Sequence, residues 1–236
     1  MRRRLAFVLP LLIGVPAIFL GAADASPKPV EFSDARLKVE INATDGDAGL
    51  QVFLDGEAWN QVELLDPDGN PIVDVDVTGR AEDYGLTELF SESSEPPFEE
   101  FPLEQFKALF PEGTYTFRGT TVDGTPMTGM ASLTHDFPDG PEILSPVADS
   151  RVSRDDVVVT WAPVTTPAGI DIAGYQVLVV QEEPELRVFS ADLPPTATRL
   201  SVPAEFVQPR TEYKVEVLAV EAGGNQTLTE LTFRSL

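Results

Sequence analysis

Val207-Gln208-Pro209-Arg210-Thr211-Glu212-Tyr213 runs directly into Lys214-Val215-Glu216-Val217-Leu218-Ala219-Val220. The second stretch alternates apolar and polar residues over its first half, the period of a strand with one buried face. The first stretch opens that strand with a tyrosine. A proline stands four residues before it and a threonine two residues before it. This spacing is the mark of a tyrosine corner, in which the phenol folds back to hydrogen-bond the backbone just upstream and pins the crossover between two packed sheets. The stretch predicts a β-sandwich. It does not name a ligand.

Working outward, the residues from about Pro141 to Leu236 read as seven short strands separated by turn residues. They are Glu142 to Ser145, Asp156 to Trp161, Ala173 to Val180, Leu186 to Asp192, Thr198 to Val202, Tyr213 to Val220 and Thr227 to Phe233. Val157, Val159 and Trp161 share one face of their strand by the period of two. Strands at this regular spacing are what a sandwich requires. Trp161 has no catalytic pattern around it and is predicted to lie between the sheets.

This half resembles a fibronectin type III domain. The matching residues are Trp161 in the second strand, Tyr175 after a glycine in the third and Leu200 in the fifth. Val207, Pro209, Thr211 and Tyr213 match the corner, and Gly224-Asn225 matches the last hairpin turn. The resemblance implies a seven-stranded, immunoglobulin-like antiparallel sandwich that acts as a spacer or a binding module. The chain carries no Arg-Gly-Asp tripeptide, so integrin-type adhesion is not implied.

The other half resembles no family by its motifs, yet it is also mostly strand. Leu37, Val39 and Ile41 alternate with polar residues, and Gln51 to Leu54 is a second strand. Trp59 to Leu65 and Pro71 to Val77 flank Asp66-Pro67-Asp68-Gly69-Asn70, a hairpin signal. Tyr115 to Val122 and Thr125 to Thr134 flank Asp123-Gly124, another. One short helix is predicted over Leu103 to Phe110, ended by Pro111 and Gly113. The acid-rich run Glu92 to Glu100 reads as a solvated loop. The fold class is therefore all-β: two β-sandwich domains, the first with one short helix.

The first residues read as a targeting segment. Arg2, Arg3 and Arg4 precede an apolar run, Leu5 to Leu20, and Ala23-Asp24-Ala25 is a small-x-small cleavage site. The domain reading is a signal peptide at 1–25, a β-sandwich of unknown family at 26–139 and the fibronectin type III-like domain at 140–236, divided at Gly140-Pro141. Cleavage leaves no span long enough to cross a bilayer.

Composition sets limits on chemistry. The 236 residues hold no cysteine, so burial alone must hold the sandwiches, and thiolate metal sites and cysteine nucleophiles are excluded. The formal charge is −23, and the segment beyond residue 25 is two charges more negative still. Nucleic acid and anionic lipid would repel it. Lysine occurs only at Lys28, Lys38, Lys107 and Lys214, a composition suited to a salty medium.

Candidate sites are few. His135 is the single histidine, and no nucleophile-elbow pattern accompanies it. Asp45-Gly46-Asp47-Ala48-Gly49 is the candidate metal loop, because close-spaced aspartates beside glycines offer hard oxygens to calcium. Asp45 and Asp47 are its ligands on this reading; no glutamate closes the loop as in an EF-hand. No other cofactor is expected. Trp59 is either a core residue or an exposed platform for sugar or peptide. Asn42-Ala43-Thr44 and Asn225-Gln226-Thr227 fit the glycosylation sequon. The expected function is an exported, non-catalytic binding or structural module at the bacterial envelope or outside the cell, with a protein or carbohydrate partner. The alternative is a secreted hydrolase of polysaccharide or peptide with carboxylates in the first domain. An accessory subunit of an envelope complex is a third reading, and it requires an exposed apolar patch.

Overall fold

The computed structural model describes residues 28–236, and the signal segment expected at 1–25 lies outside the described residues. Strands of the first half are β1 (Val30–Glu31), β2 (Asp34–Asn42), β3 (Asp47–Leu65), β4 (Pro71–Asp76), β5 (Leu86–Glu92), β6 (Gly113–Thr121) and β7 (Pro126–Leu133), with helix α1 (Leu103–Leu109) before β6. Those of the second half are β8 (Ile143–Ser145), β9 (Arg151–Val152), β10 (Val158–Trp161), β11 (Ile172–Gln181), β12 (Arg187–Leu193), β13 (Arg199–Ser201), β14 (Glu212–Glu221) and β15 (Gln226–Ser235). All seven strands expected in the second half form. β9 is an additional pair of residues beside the end of β15. The chain is all-β, as its alternation requires.

Two strand readings in the first half change. Gln51–Leu54 and Trp59–Leu65 are not separate strands: β3 carries both in one 19-residue run. Its first part pairs with β2 and β5, and its last part pairs with β4 and β6. Register shifts between Asp55 and Gln61 let one strand turn from one sheet of the sandwich into the other. Leu50, Val52 and Leu54 are buried before the shift, and Trp59, Val62 and Leu64 after it. β5 is the second change. Only Leu89 of that strand packs on the core, so the strand shows little apolar alternation.

Each half closes its own core. In the first, Leu37, Val39 and Ile41 of β2 meet β3 residues, Tyr115, Phe117 and Phe106 of α1. In the second, Val159 and Trp161 of the small β8–β10–β13 sheet cover Tyr175, Val177, Tyr213, Val215 and Val217. Both tryptophans are fully buried, so Trp59 is a core residue and not a platform.

The corner forms as its sequence predicts. The Tyr213 hydroxyl accepts a hydrogen bond from the Gln208 N–H at 2.6 Å and donates to Gln181 Oε1 at 3.3 Å. The first half holds a counterpart: the Tyr115 hydroxyl donates to the Pro111 carbonyl four residues upstream, at 2.9 Å. Tyr115 is fully buried, and burial with the nearby Asp66 carboxylate pushes its phenol up to about 12. Each half is thus pinned by a tyrosine near the start of an inner strand.

The halves are joined through backbone. β2 of the first pairs in parallel with β15 of the second, Glu40 to Gln226 and Asn42 to Leu228. One sheet therefore runs β5–β3–β2–β15–β14–β11–β12 through both sandwiches. Asn225 sits at the seam, 2% exposed. Its side-chain oxygen accepts from the Val39 N–H at 2.9 Å. Its amide nitrogen donates to the Thr134 carbonyl at 3.0 Å and approaches the Asp136 carbonyl at 3.3 Å, both on the connecting segment. Gly140 of that segment passes so close that a Cβ there would lie 2.5 Å from Thr229 Oγ1 and 2.7 Å from the Ala43 Cβ. The Asn225 sequon is buried, and its amide is engaged in this seam.

Tyr213→Phe keeps the ring and deletes both hydroxyl bonds; urea unfolding should show a loss of about 1–3 kcal/mol. Tyr115→Phe, which frees one carbonyl, should cost about 1 kcal/mol by the same measurement. Asn225→Ala strands the buried Val39 N–H and the Thr134 acceptor, and should cost about 1–3 kcal/mol. It should also split one calorimetric transition into two, because the seam is what couples the cores.

Candidate functional site

The outer face of the through-going sheet gathers the chemistry of the chain. Residues directly opposite across β2, β3 and β5 share a face and form rows. Asp34, Asp55 and Glu88 make one row. Arg36, Phe53 and Phe90 make the next, and Lys38, Gln51 and Glu92 the third. Glu40 and Gly49 follow, with Gln226 continuing the row across the seam. The Arg36 guanidinium lies 4.3 Å from the centre of the Phe53 ring and pairs with Asp34 at 2.9 Å. Phe90 is 63% exposed.

The third and fourth rows hold a polar network. Lys38 Nζ donates to Gln226 Oε1 at 2.8 Å, and Gln226 donates its amide to Glu40. Gln51 Nε2 donates to Glu92 Oε1 at 2.7 Å. The segment after β5 brings Glu95 back over this face. Its carboxylate lies against Gly49, where a Cβ would be 2.5 Å from Glu95 Oε1. Carboxylate oxygens of Glu40, Glu92 and Glu95 all lie within 4.8 Å of one another.

Three like charges at that distance cannot all ionise cheaply. Burial pushes the Glu95 carboxyl up to about 7, helped by Glu92, Asp47 and Glu40. Burial also raises Glu40, against the stabilising amide of Gln226. Lys38 is the cation of this network, and burial holds its ammonium below its usual value. The arrangement gathers protons; it sits on the open sheet face, and Glu92 and Glu95 are exposed.

The aspartates of the candidate metal loop lie at the β2–β3 turn. Asp45 accepts from Asn42 Nδ2 at 3.1 Å, and Asn42 in turn caps the Thr44 and Asp45 N–H groups. Asp47 Oδ1 is buried without a hydrogen-bond partner, and burial and the neighbouring Asp45 raise its carboxyl. Neither aspartate belongs to the three-carboxylate group. Asp66 is occupied by turn geometry, accepting from the Asp68 and Asn70 N–H groups. Glu95 lies three residues beyond Glu92, but the other carboxylates near it, Glu40 and Asp47, stand on strands more than 40 residues back, so no local motif marks it as part of a site.

His135 is tied into the scaffold. Its Nε2 lies 2.8 Å from the Phe110 carbonyl, which only accepts, so the proton sits on that nitrogen. Its backbone N–H donates to Glu112 Oε1 at 2.7 Å. The ring packs against Phe137. No helix among the described residues is long and apolar enough to cross a membrane.

Comparison with known proteins places residues 142–234 in a match to the fibronectin type III domain family. No curated protein matches the chain. Among solved structures, the FN1-FN3 domains of chicken CNTN1 overlay with a TM-score of 0.35 at 14% identity, covering 89% of this chain and 65% of that one. A two-domain fibronectin type III segment of chicken tenascin overlays with a TM-score of 0.32 at 12% identity, covering 86% and 98% respectively.

The carboxylate cluster predicts a pH dependence. Glu95 titrates near 4.5 in the unfolded chain and near 7 when folded. Its contribution is complete below the lower value and is lost as pH rises through the upper one. Urea unfolding should therefore show higher stability at pH 5 than at pH 8. Glu95→Gln should flatten this difference; an unchanged pH profile in that variant would assign the effect elsewhere.

Proposed function

Residues 142–234 form a fibronectin type III domain, and from this premise we propose that the chain is an exported, non-catalytic binding or structural module. On this reading a signal peptide at 1–25 is removed, and sandwich domains at 26–139 and 140–236 act at the bacterial envelope or outside the cell. Fibronectin type III domains serve as spacers and binding modules, which supports contact rather than turnover as the activity.

The observation that carries the reading is where large apolar side chains stand exposed. The through-going sheet ends in β5 on one side and β12 on the other. Tyr84, Leu86 and Phe90 are exposed at the first end, and Leu186 and Val188 at the second. Exposed apolar groups at strand edges are costly to solubility and mark contact surfaces. A net charge of −23 keeps such a protein dispersed until it meets its partner.

Capture with the tagged mature protein from its own envelope fraction tests the proposal. A specific protein or glycan should be recovered at physiological ionic strength. Recovery of nothing specific, together with turnover of a polysaccharide or peptide, would replace the binding reading with the hydrolytic one.

A further inference from the structure

The first end of the sheet has a chemistry that selects its occupant. Among the described residues, β5 is hydrogen-bonded on one side only, to β3, so its other side presents a row of backbone donors and acceptors. Leu86, Glu88, Phe90 and Glu92 project to the outer face, alternating in chemistry along it, while Leu89 anchors the strand to the core. Phe90 meets Phe53 directly across the pair, forming an apolar ridge at the very edge. Carboxylates bracket that ridge: Asp55 and Glu88 on one side, Glu92 and Glu95 on the other.

A second copy of this chain is a poor occupant. Antiparallel self-pairing would set the Glu88 and Glu92 carboxylates of one β5 among those of the other, and like charges across a strand pair are destabilising. The net charge of each molecule adds to the repulsion. The same carboxylates attract a cationic strand, and the exposed Phe90 face favours a cation or an apolar side chain. The opposite edge lacks this pattern, since β12 carries Arg187 with Asp192 around Val188.

We propose that the free edge of β5 accepts a partner's extended segment as an added strand, and that one face of this segment carries apolar and basic side chains in turn, at every second residue. The apolar residues rest on Leu86 and Phe90, and the basic ones pair with Glu88 and Glu92. Main-chain bonds along the edge provide affinity and the alternation provides selectivity. This inference rests on the binding-module reading and gives it a partner class: a basic, strand-forming polypeptide.

The probe is a synthetic peptide repeating valine-threonine-lysine-threonine, which sets valine and lysine in turn on one face, applied to the mature chain at physiological ionic strength. Controls are a valine-proline-lysine-proline repeat of equal charge, which lacks every second N–H, and a valine-threonine-glutamate-threonine repeat. Fluorescence anisotropy should show the threonine-spaced lysine and valine peptide binding at least about tenfold more tightly than either control. Amide exchange should slow along Leu86–Glu92. Phe90→Ser, a change at an exposed side chain, should weaken binding about tenfold, while Val147→Ser, at an exposed position of the second half, should leave it unchanged. Equal binding of the proline peptide, or an unaffected Phe90→Ser, would reduce the effect to charge attraction and overturn the proposal. Capture from the envelope separates the two readings. If wild type and Phe90→Ser recover the same partner, the edge inference fails and the binding module stands. If wild type recovers nothing specific, the binding reading itself fails.

Discussion

A single amide holds the architecture at its narrowest point. The parallel seam between β2 and β15 is only a few residues long, and the Val39 N–H beside it faces inward with no strand partner. A buried, unpaired N–H is expensive. Asn225 supplies the acceptor from one half and spends its donors on the connecting segment, so three pieces of chain are tied by one planar group. Asparagine suits this place because it offers an acceptor and two donors at once. An aspartate would offer acceptors alone, and alanine neither.

The seam decides where the molecule is available to others. Joining β2 to β15 consumes one edge from each sandwich and turns two sheets into one. Among the described residues, the joined run still presents β5 and β12 as edges, with the outer face between them. The face near the seam is taken up by Lys38, Gln51 and Gln226 with their glutamates. The exposed aromatic side chain of Phe90 lies beyond that network, at the edge where no backbone partner stands. The exposed Phe90 edge and the carboxylate cluster are thus neighbours on one sheet, fixed at their distance by the pleat.

Much of this was legible beforehand, for stated reasons. The Tyr213 corner follows from local spacing, since the hydroxyl reaches only five residues upstream. The Asp66 and Asp123 hairpins follow from turn chemistry, and α1 from an apolar face ended by proline. The Tyr115 corner carried a similar signal in Pro111-Glu112-Gly113-Thr114-Tyr115, but the first half had no second family mark to prompt the reading. β3 read as two strands because Asp55-Gly56-Glu57-Ala58 interrupts its alternation, and a register shift looks like a break when seen in one dimension. β5 escaped notice because an edge strand with a single core contact needs little apolar alternation.

Residue order alone settled the strand-rich class, the resemblance of residues 142–234 to a fibronectin type III domain, both hairpin turns, the absence of disulfides and the acidic composition. Each depends on residue type and short spacing, and these survive in one dimension. Tertiary structure alone decided that the two sandwiches share a sheet, that Asn225 is a seam residue rather than a free turn asparagine, and that Glu40, Glu92 and Glu95 converge. The shared sheet and the Asn225 tie join residues 186 positions apart, and Glu40 meets glutamates of a segment more than 50 positions away. Their energies arise from burial and proximity, which no local pattern records.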